Sequence, residues 1–256
     1  MIKITFLGTG TSQGIPVIGS KHPVCVSDNP KDKRLRSSVL IQWDNFNYVI
    51  DCGPDFRQQM LNVRCDHLNG ILFTHEHADH TAGIDDIRPF FFRQGDIPIF
   101  ACERVVANLT KRFSYIFQTE NKYPGTPAVQ VNMIKKNNGF KIENKYVMPV
   151  EVMHNQLPIM GFRIDNFSYL TDVKFIEEDQ LIKLKDCDVL VLNALRIEPH
   201  PTHLNLDQAI EMIGIINPKK AYLTHISHLL GFHDEVSADL PENVFLAYDN
   251  LEIHSN

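Results

Sequence analysis

The chain has few of the features that mark secreted, membrane-spanning or nucleic-acid-binding proteins. Its five cysteines are odd in number and far apart, so the sequence does not indicate a disulfide framework. No apolar run approaches the roughly 18 residues that a membrane-spanning helix needs. The 25 Lys and Arg residues are outnumbered by 31 Asp and Glu residues, which gives a formal net charge of -6. Bulk charge therefore does not draw the chain onto a phosphate backbone.

The N-terminus also lacks the pattern of a secretory signal peptide. Residues 1–8 alternate like a β-strand from the first residue, without a basic region, an apolar stretch and a small-residue cleavage site. We therefore expect no signal peptide. Together with the scattered cysteines, this predicts a protein of the reducing cytoplasm with no membrane partner.

The pattern of elements predicts two packed sheets covered by helices. No linker-like stretch or repeat divides the chain, so we expect one domain over residues 1–256. A purely alternating doubly wound sheet would need more helix between its strands. The predicted strands are Ile2–Leu7, Val39–Trp43, Asn47–Asp51, Gly70–Thr74, Ile97–Ala101, Val129–Ile134, Tyr146–Met153, Gly161–Asp165, Phe167–Thr171, Asp188–Asn193, Lys220–Thr224 and Asn243–Leu246. The predicted helices are Cys102–Phe113, Lys174–Leu184 and Leu206–Ile216.

Short polar turns join some of these runs. Asp44-Asn45 and Asp165-Asn166 are typical of hairpins, so we expect antiparallel pairing on either side of each. Asn205 and Asn217 flank the last helical pattern and are suited to its two ends.

The chain contains 12 histidines, and one dense group of them dominates the sequence. Residues 74–80 read Thr-His-Glu-His-Ala-Asp-His and follow a short apolar run that we expect to be a buried strand. Because side chains alternate along an extended chain, His75 and His77 project to the same side and can bind one metal ion. Asp79 and His80 come after the chain turns and can face a second ion. Two neighbouring metal ions can clamp both the attacking and the leaving oxygen of a displacement.

Single polar residues at the ends of three later strands can complete two metal sites. His154, Asp172 and His225 each lie just beyond a stretch that would otherwise be core. A carboxylate such as that of Asp172 can bridge two ions, and imidazoles suit zinc whereas carboxylates also suit manganese. Taken singly, a histidine at a strand end is more often structural. The shared placement of the three, beside the dense group, favours metal binding.

Four segments together resemble the metallo-β-lactamase superfamily, whose signature is His-x-His-x-Asp-His followed by a His, an Asp and a His. The resemblance is closer to its PhnP branch, the phosphoribosyl cyclic phosphodiesterases linked to phosphonate breakdown. The matching segments are residues 7–16, 51–55, 75–80 and 223–228, which spread over nearly the full length. The resemblance implies an α/β (α+β) fold, the four-layer αββα sandwich of that superfamily.

The same resemblance assigns the side chains that hold two divalent metal ions, zinc or manganese. One ion is bound by three imidazoles, those of His75, His77 and His154. The other is bound by Asp79, His80 and His225, with Asp172 bridging. A set made only of His and Asp resembles the phosphodiesterase and tRNA 3′-processing branches rather than the lactamases proper.

His203, just before the last predicted helix, matches a histidine that reaches the substrate phosphate in the PhnP branch. The resemblance therefore implies a catalytic role for it. His203 and Asp79 are the candidates for protonating the leaving alkoxide. The alternative for His203 is a loop histidine without a role.

The PhnP branch carries a structural zinc held by three cysteines of an early loop and a late histidine, and this chain departs from that pattern. Ser20 and His22 stand where cysteines are expected, and Cys25 alone remains. His22, Cys25 and His228 can still form a three-ligand set, with water or His233 as the fourth ligand. The alternative is a surface loop with a free thiol.

We therefore expect a binuclear hydrolase in which a hydroxide bridging the two ions attacks a small phosphodiester, such as a cyclic phosphate of a ribose or nucleotide. One alternative is a tRNA 3′-processing endoribonuclease. That class needs a protruding basic arm, whereas Lys135–Asn138 is short and is interpreted as a hairpin tip. A second alternative is a thioester, lactone or lactam hydrolase, because the fold alone does not fix the substrate. A non-catalytic binding module would not need seven ligands.

The remaining partner predictions rest on weaker patterns. Phe90-Phe91-Phe92 is interpreted as core or dimer contact in preference to a pocket lining. Members of the resembled family commonly dimerise, so a homodimer is the protein partner considered, beside a small-molecule substrate. The net charge makes nucleic acid the less favoured ligand.

Overall fold

Two seven-stranded sheets form the centre of the computed structural model, which describes residues 1–118, 120 and 122–255. The strands are β1 (Ile2–Gly8), β2 (Ser38–Trp43), β3 (Phe46–Ile50), β4 (Gly70–Leu72), β5 (Ile97–Ala101), β6 (Val129–Met133), β7 (Phe140–Ile142), β8 (Lys145–His154), β9 (Leu157–Ile164), β10 (Phe167–Tyr169), β11 (Val189–Asn193), β12 (Lys220–Thr224), β13 (Val244–Leu246) and β14 (Glu252–Ser255). The α-helices are α1 (Phe56–Asn62), α2 (Ala78–Thr81), α3 (Arg88–Gln94), α4 (Glu103–Arg112), α5 (Ser114–Phe117), α6 (Glu178–Leu181), α7 (Leu206–Ile216) and α8 (His233–Ala238). Short 3-10 helices occupy Pro23–Val26, Pro30–Asp32, Ile84–Ile87, Ile182–Leu184 and His228–Leu230.

Each sheet is antiparallel in one part and parallel in another. The first has the strand order β14-β1-β2-β3-β4-β5-β6, and the second has the order β13-β12-β11-β10-β9-β8-β7. The turns at Asp44-Asn45 and Asp165-Asn166 join antiparallel pairs, β2 with β3 and β9 with β10, as the turn residues predicted. From β3 to β6, and from β10 to β13, neighbouring strands are parallel. Their carboxyl ends therefore meet at one edge of each sheet.

Three apolar clusters lie between four layers. One joins the inner faces of the two sheets, with Ile4, Ile50 and Tyr169 buried at its centre. A second packs the outer face of the first sheet against α1, α3 and α4, and a third packs the outer face of the second sheet against α7. This is the predicted αββα sandwich. None of the helices in the described residues has the length and apolarity that a membrane crossing requires.

Two interpretations of the sequence are wrong. Lys135–Asn138 is not a hairpin tip, because β6 and β7 lie at the edges of different sheets and this turn carries the chain from one sheet to the other. The predicted helix Lys174–Leu184 begins late, at Glu178. Lys174 and Phe175 instead bond to the backbone of Met153, which places their segment against the end of β8.

Candidate metal centre

The histidine-rich segment leaves the carboxyl end of β4 and turns into the short helix α2. His75 is fully buried, whereas His77 is exposed. The Nε2 atom of His75 lies 3.0 Å from the Nδ1 atom of His77, so the two rings present one nitrogen each to the same point. The other ring nitrogen of His75 contacts the Thr74 hydroxyl at 2.9 Å, which fixes the ring. Both imidazoles are oriented as the alternation in the sequence predicted.

Four further side chains converge beside this pair. One ligand atom each from Asp79, His80, Asp172 and His225 lies within 4.8 Å of the other three. Nε2 of His80 is 3.2 Å from carboxylate oxygens of both Asp79 and Asp172. Nε2 of His225 is 3.2 Å from Asp172 and 3.7 Å from Asp79. The structure thus brings together the complete set predicted for the second ion.

Several imidazole nitrogens of this group are buried without a hydrogen-bond partner in the described part of the chain, which makes them suitable ligands for a cation. Nε2 of His80 and both ring nitrogens of His225 are buried, yet none has a hydrogen-bond partner among the described residues. Buried polar atoms without a partner are costly, so these nitrogens are suited to bind a ligand. Imidazole nitrogens and carboxylate oxygens together suit zinc and manganese. The residues present therefore fit divalent cations.

His154 and His203 close the other side of the cluster. The ring of His154 lies 5.9 Å from that of His75 and 5.3 Å from that of His77, centroid to centroid. Nδ1 of His154 is 2.9 Å from the backbone oxygen of Thr202, which leaves Nε2 for a ligand. One atom each from His154, Asp172 and His203 also lies within a 4.8 Å group. Asp172 is thus shared by both halves of the cluster, as a bridging residue must be.

Asp51 is a residue of the site to which sequence reasoning gave no role. Its buried carboxylate is 2.7 Å from Nδ1 of His80 and accepts hydrogen bonds from the Thr74 backbone and hydroxyl, each at 2.8 Å. Such a contact behind an imidazole fixes the ring and increases its basicity. The available signal was its position, since Asp51 is the last residue of a predicted strand and lies in one of the segments that carry the resemblance.

The charges in the cluster shift the ionisation of its members. Burial raises the pKa of Asp172, but the imidazoles of His225 and His80 more than offset this, and the pKa lies well below its usual range. The pKa of Asp79 is also lowered, since His80 and His225 outweigh the effect of burial. Burial lowers the pKa of His203 to about 4, opposed by its hydrogen bond to Asp172. Both carboxylates are therefore ionised at neutral pH, and His203 is uncharged.

Two arginines of α4 hold the histidine-rich segment in place. Nη1 of Arg112 donates to the backbone oxygen of Glu76 and to the hydroxyl of Thr81, each at 2.9 Å. Nε of Arg104 lies 3.0 Å from the Glu76 carboxylate, and its Nη2 donates to the backbone oxygen of Pro158 at 2.6 Å. Because Pro158 belongs to β9 in the second sheet, Arg104 ties together loops of both sheets that carry predicted ligands.

The segments that carry the candidate ligands lie in a chain that matches a known protein family over most of its length. The family model described as beta-lactamase superfamily domain matches residues 46–226, more than half of the chain. The chain belongs to the metallo-β-lactamase superfamily. Within this superfamily it is similar to a structure described as a new diphosphatase from the PhnP family. The two are 36% identical, the match covers 100% of this chain and 98% of the other, and the TM-score is 0.93. The predicted family and fold are confirmed.

Two relatives carry other names. The chain is 38% identical over 253 residues to an octanoyltransferase of Porphyromonas gingivalis, a match of 98% of this chain but 51% of the relative. It is 30% identical over 96 residues to a ribonuclease Z of Methanococcus maripaludis, 37% of this chain and 26% of the relative. The chain thus spans about half of the first relative and a quarter of the second.

Among the described residues, the early loop does not gather the ligands predicted for a structural zinc. The rings of His22 and His228 are 4.9 Å apart, and Nδ1 of His22 accepts a hydrogen bond from the backbone of Val24. His22, Cys25 and His228 do not form a group of ligand atoms within 4.8 Å among the described residues. Nδ1 of His233 lies 3.1 Å from Nη2 of Arg34, so this nitrogen is engaged with Arg34 and is not directed at the early loop. Zinc binding by this loop stays a prediction.

We expect Cys25→Ser to leave the metal content at two equivalents per chain, because the loop nitrogens are not arranged around a common point. Elemental analysis of the purified variant and the parent protein would measure this. A third equivalent in the parent that is lost from Cys25→Ser would show instead that the loop binds zinc.

Proposed function

We propose that this protein hydrolyses a phosphodiester or diphosphate bond of a small molecule with the help of two divalent cations. The convergence of seven His and Asp side chains on one buried cluster carries this proposal, because partnerless nitrogens and ionised carboxylates form a site for cations. His75, His77 and His154 would hold one ion, Asp79, His80 and His225 the other, and Asp172 both. The similarity to a PhnP-family diphosphatase supports chemistry at phosphorus.

The side chains of the cluster have different roles in the proposed reaction. When bound, the cations supply Lewis acidity and lower the pKa of a coordinated water enough for attack near neutral pH. Nε2 of His203 lies 3.1 Å from Asp172 at the edge of the cluster, and its side chain is 12% exposed. It is placed to donate a hydrogen bond to a non-bridging oxygen as charge gathers there. The lowered pKa of Asp79 favours a ligand role over that of a proton donor, and the uncharged His203 acts as a hydrogen-bond donor.

Turnover of bis-p-nitrophenyl phosphate tests this proposal against the other chemistries of the fold. We expect the protein loaded with manganese or zinc to hydrolyse this diester faster than nitrocefin or an octanoyl thioester, since the His and Asp set is suited to a doubly coordinated phosphate. Release of p-nitrophenolate gives the rate, and the metal-stripped protein is the control. A rate on the thioester that exceeds the rate on the diester would overturn the proposal.

Thioester hydrolysis is the second candidate, because the Porphyromonas gingivalis relative is named for octanoyl transfer. The match covers half of that relative, so its name does not by itself assign octanoyl transfer to the matched half. RNA cleavage is favoured less. The ribonuclease Z match is short, and the net charge of -6 opposes a long polyanion.

A further inference from the structure

We propose that Arg36 binds a second phosphate of the substrate, which makes the substrate a diphosphate in preference to a cyclic monophosphate. This inference rests on the proposed function. The cations and His203 would hold a single phosphate group, whereas a diphosphate carries a further charged group that needs a partner outside the cluster.

The backbone places Arg36 beside the metal ligands. Gly10 forms bridges with Arg36 on one side and with Ile226, the residue after His225, on the other. The Thr11 backbone also donates to the oxygen of Ile226 at 3.0 Å. The segment that carries Arg36 is therefore separated from the His225 turn only by the loop that begins at Gly10.

The side chain of Arg36 also lies against the turn that carries Asp79. Gly53 packs so closely on this turn that a Cβ atom there would overlap the backbone oxygen of Asp79. The same Cβ position is 3.7 Å from the Cβ of Arg36. Only Gly53 therefore separates the Cβ of Arg36 from the backbone of Asp79.

The guanidinium of Arg36 forms an ion pair at its Nε, and no atom of the group has a hydrogen-bond partner among the described residues. Its Nε is 3.1 Å from a carboxylate oxygen of Asp55, and the same oxygen accepts the Arg36 backbone N–H at 2.8 Å. Its Nη1 lies 3.4 Å from the position of a Cβ on Gly14, so the group faces the 11–14 turn. Neither terminal nitrogen has a hydrogen-bond partner within the described part of the chain, and the side chain is 26% exposed. Two adjacent free N–H groups match the spacing of two phosphate oxygens.

The absence of a side chain at Gly14 leaves room for the ligand. Its φ of +65° lies in the left-handed region, which glycine adopts without strain. A phosphate bound by Arg36 would therefore lie beside the 11–14 turn, and the backbone of the same arginine lies against the segments that carry Asp79 and His225. Asp55 is the positioning residue, since its carboxylate accepts the Arg36 backbone N–H and lies 3.1 Å from Nε.

The test compares substrates with one and two phosphorus atoms in Arg36→Ala, Arg36→Lys and the parent protein. We expect Arg36→Ala to raise the KM for a dinucleoside diphosphate about 10- to 100-fold, the value of one charged hydrogen-bonded pair. The kcat/KM for bis-p-nitrophenyl phosphate should change less than about twofold. Arg36→Lys should recover part of the KM, because the charge remains but the paired geometry is lost. Arg57→Ala, a change at an exposed arginine of α1, is the matched control.

A binding measurement separates this role from a structural one. Calorimetry should show methylenediphosphonate binding about 10-fold or more weaker in Arg36→Ala, with methylphosphonate unchanged. An equal loss with both ligands and both substrates, or no loss, would overturn the role of Arg36. If the parent protein hydrolyses the diester but not the diphosphate, the inference fails while the proposed function stands. If it hydrolyses neither, both fail.

Discussion

Asp172→Ala is expected to lower kcat/KM for bis-p-nitrophenyl phosphate by about a thousandfold or more and to remove bound metal at the same time. The carboxylate of Asp172 lies 3.2 Å from Nε2 of His80, 3.2 Å from Nε2 of His225 and 3.1 Å from Nε2 of His203. Without it, these imidazoles lose the carboxylate that all three share, and Asp79 alone among the described residues supplies negative charge next to the Nε2 atoms of His80 and His225. Steady-state rates and elemental analysis of the same preparations measure the two effects together.

The matched control for this change is Asp28→Ala, at an exposed carboxylate outside the cluster. It should keep both the rate and the metal content of the parent protein. Asp172→Ala with full activity and two bound ions would remove Asp172 from the site and with it the bridging role.

Asp51→Ala is expected to weaken the binding of one of the two ions by about 10- to 100-fold, although Asp51 itself binds no cation in this account. The change removes the acceptor behind Nδ1 of His80, so the ring loses its fixed orientation and part of its basicity. It also leaves the buried N–H and hydroxyl of Thr74 without their acceptor. We expect a loss of stability of about 3 kcal/mol and a Tm lower by roughly 10 °C.

Metal competition with a chromophoric chelator and thermal melting with and without metal measure these two effects separately. Asp51→Asn is the informative second variant, because it keeps an acceptor oxygen but loses the charge. It should restore most of the Tm and less of the metal affinity. Equal affinity for both ions in Asp51→Ala and the parent protein would contradict the role given to Asp51.

Local patterns predicted the elements whose ends are set by their own residues. The helix Leu206–Ile216 has the predicted bounds because Asn205 caps its first turn with a hydrogen bond to Gln208, and Asn217 ends it in the left-handed conformation. The candidate ligands were also predictable, since four of them form one dense group and the other three each follow a predicted strand. Asp172 and His225 have φ values of +57° and +56°, an uncommon conformation for such residues that sets the turn at each strand end.

Elements that depend on distant partners were missed. β14 pairs with β1 from the other end of the chain, and β7 is a short edge strand beside β8. α1 buries Gln59 together with Phe56 and Met60, so it lacks a clear apolar stripe. The role of Asp51 was also missed, because Asp51 and His80 are 29 residues apart and meet only in the folded chain.

The interpretation of the phenylalanine run as core holds for one of its residues and not for another. Phe90 is buried in the core of the first sheet and its helices, as predicted, whereas Phe92 on the same helix is 61% exposed. The single domain, the homodimer and the cytoplasmic location stay predictions.

The most direct test is a crystal structure of the metal-loaded protein with anomalous data collected at the edge of the bound metal. Two peaks about 3.5–4 Å apart, with Asp172 between them and His80 and His225 on one of them, are expected. A single peak near His75, or ring nitrogens of His80 and His225 directed away from any ion, would contradict the account.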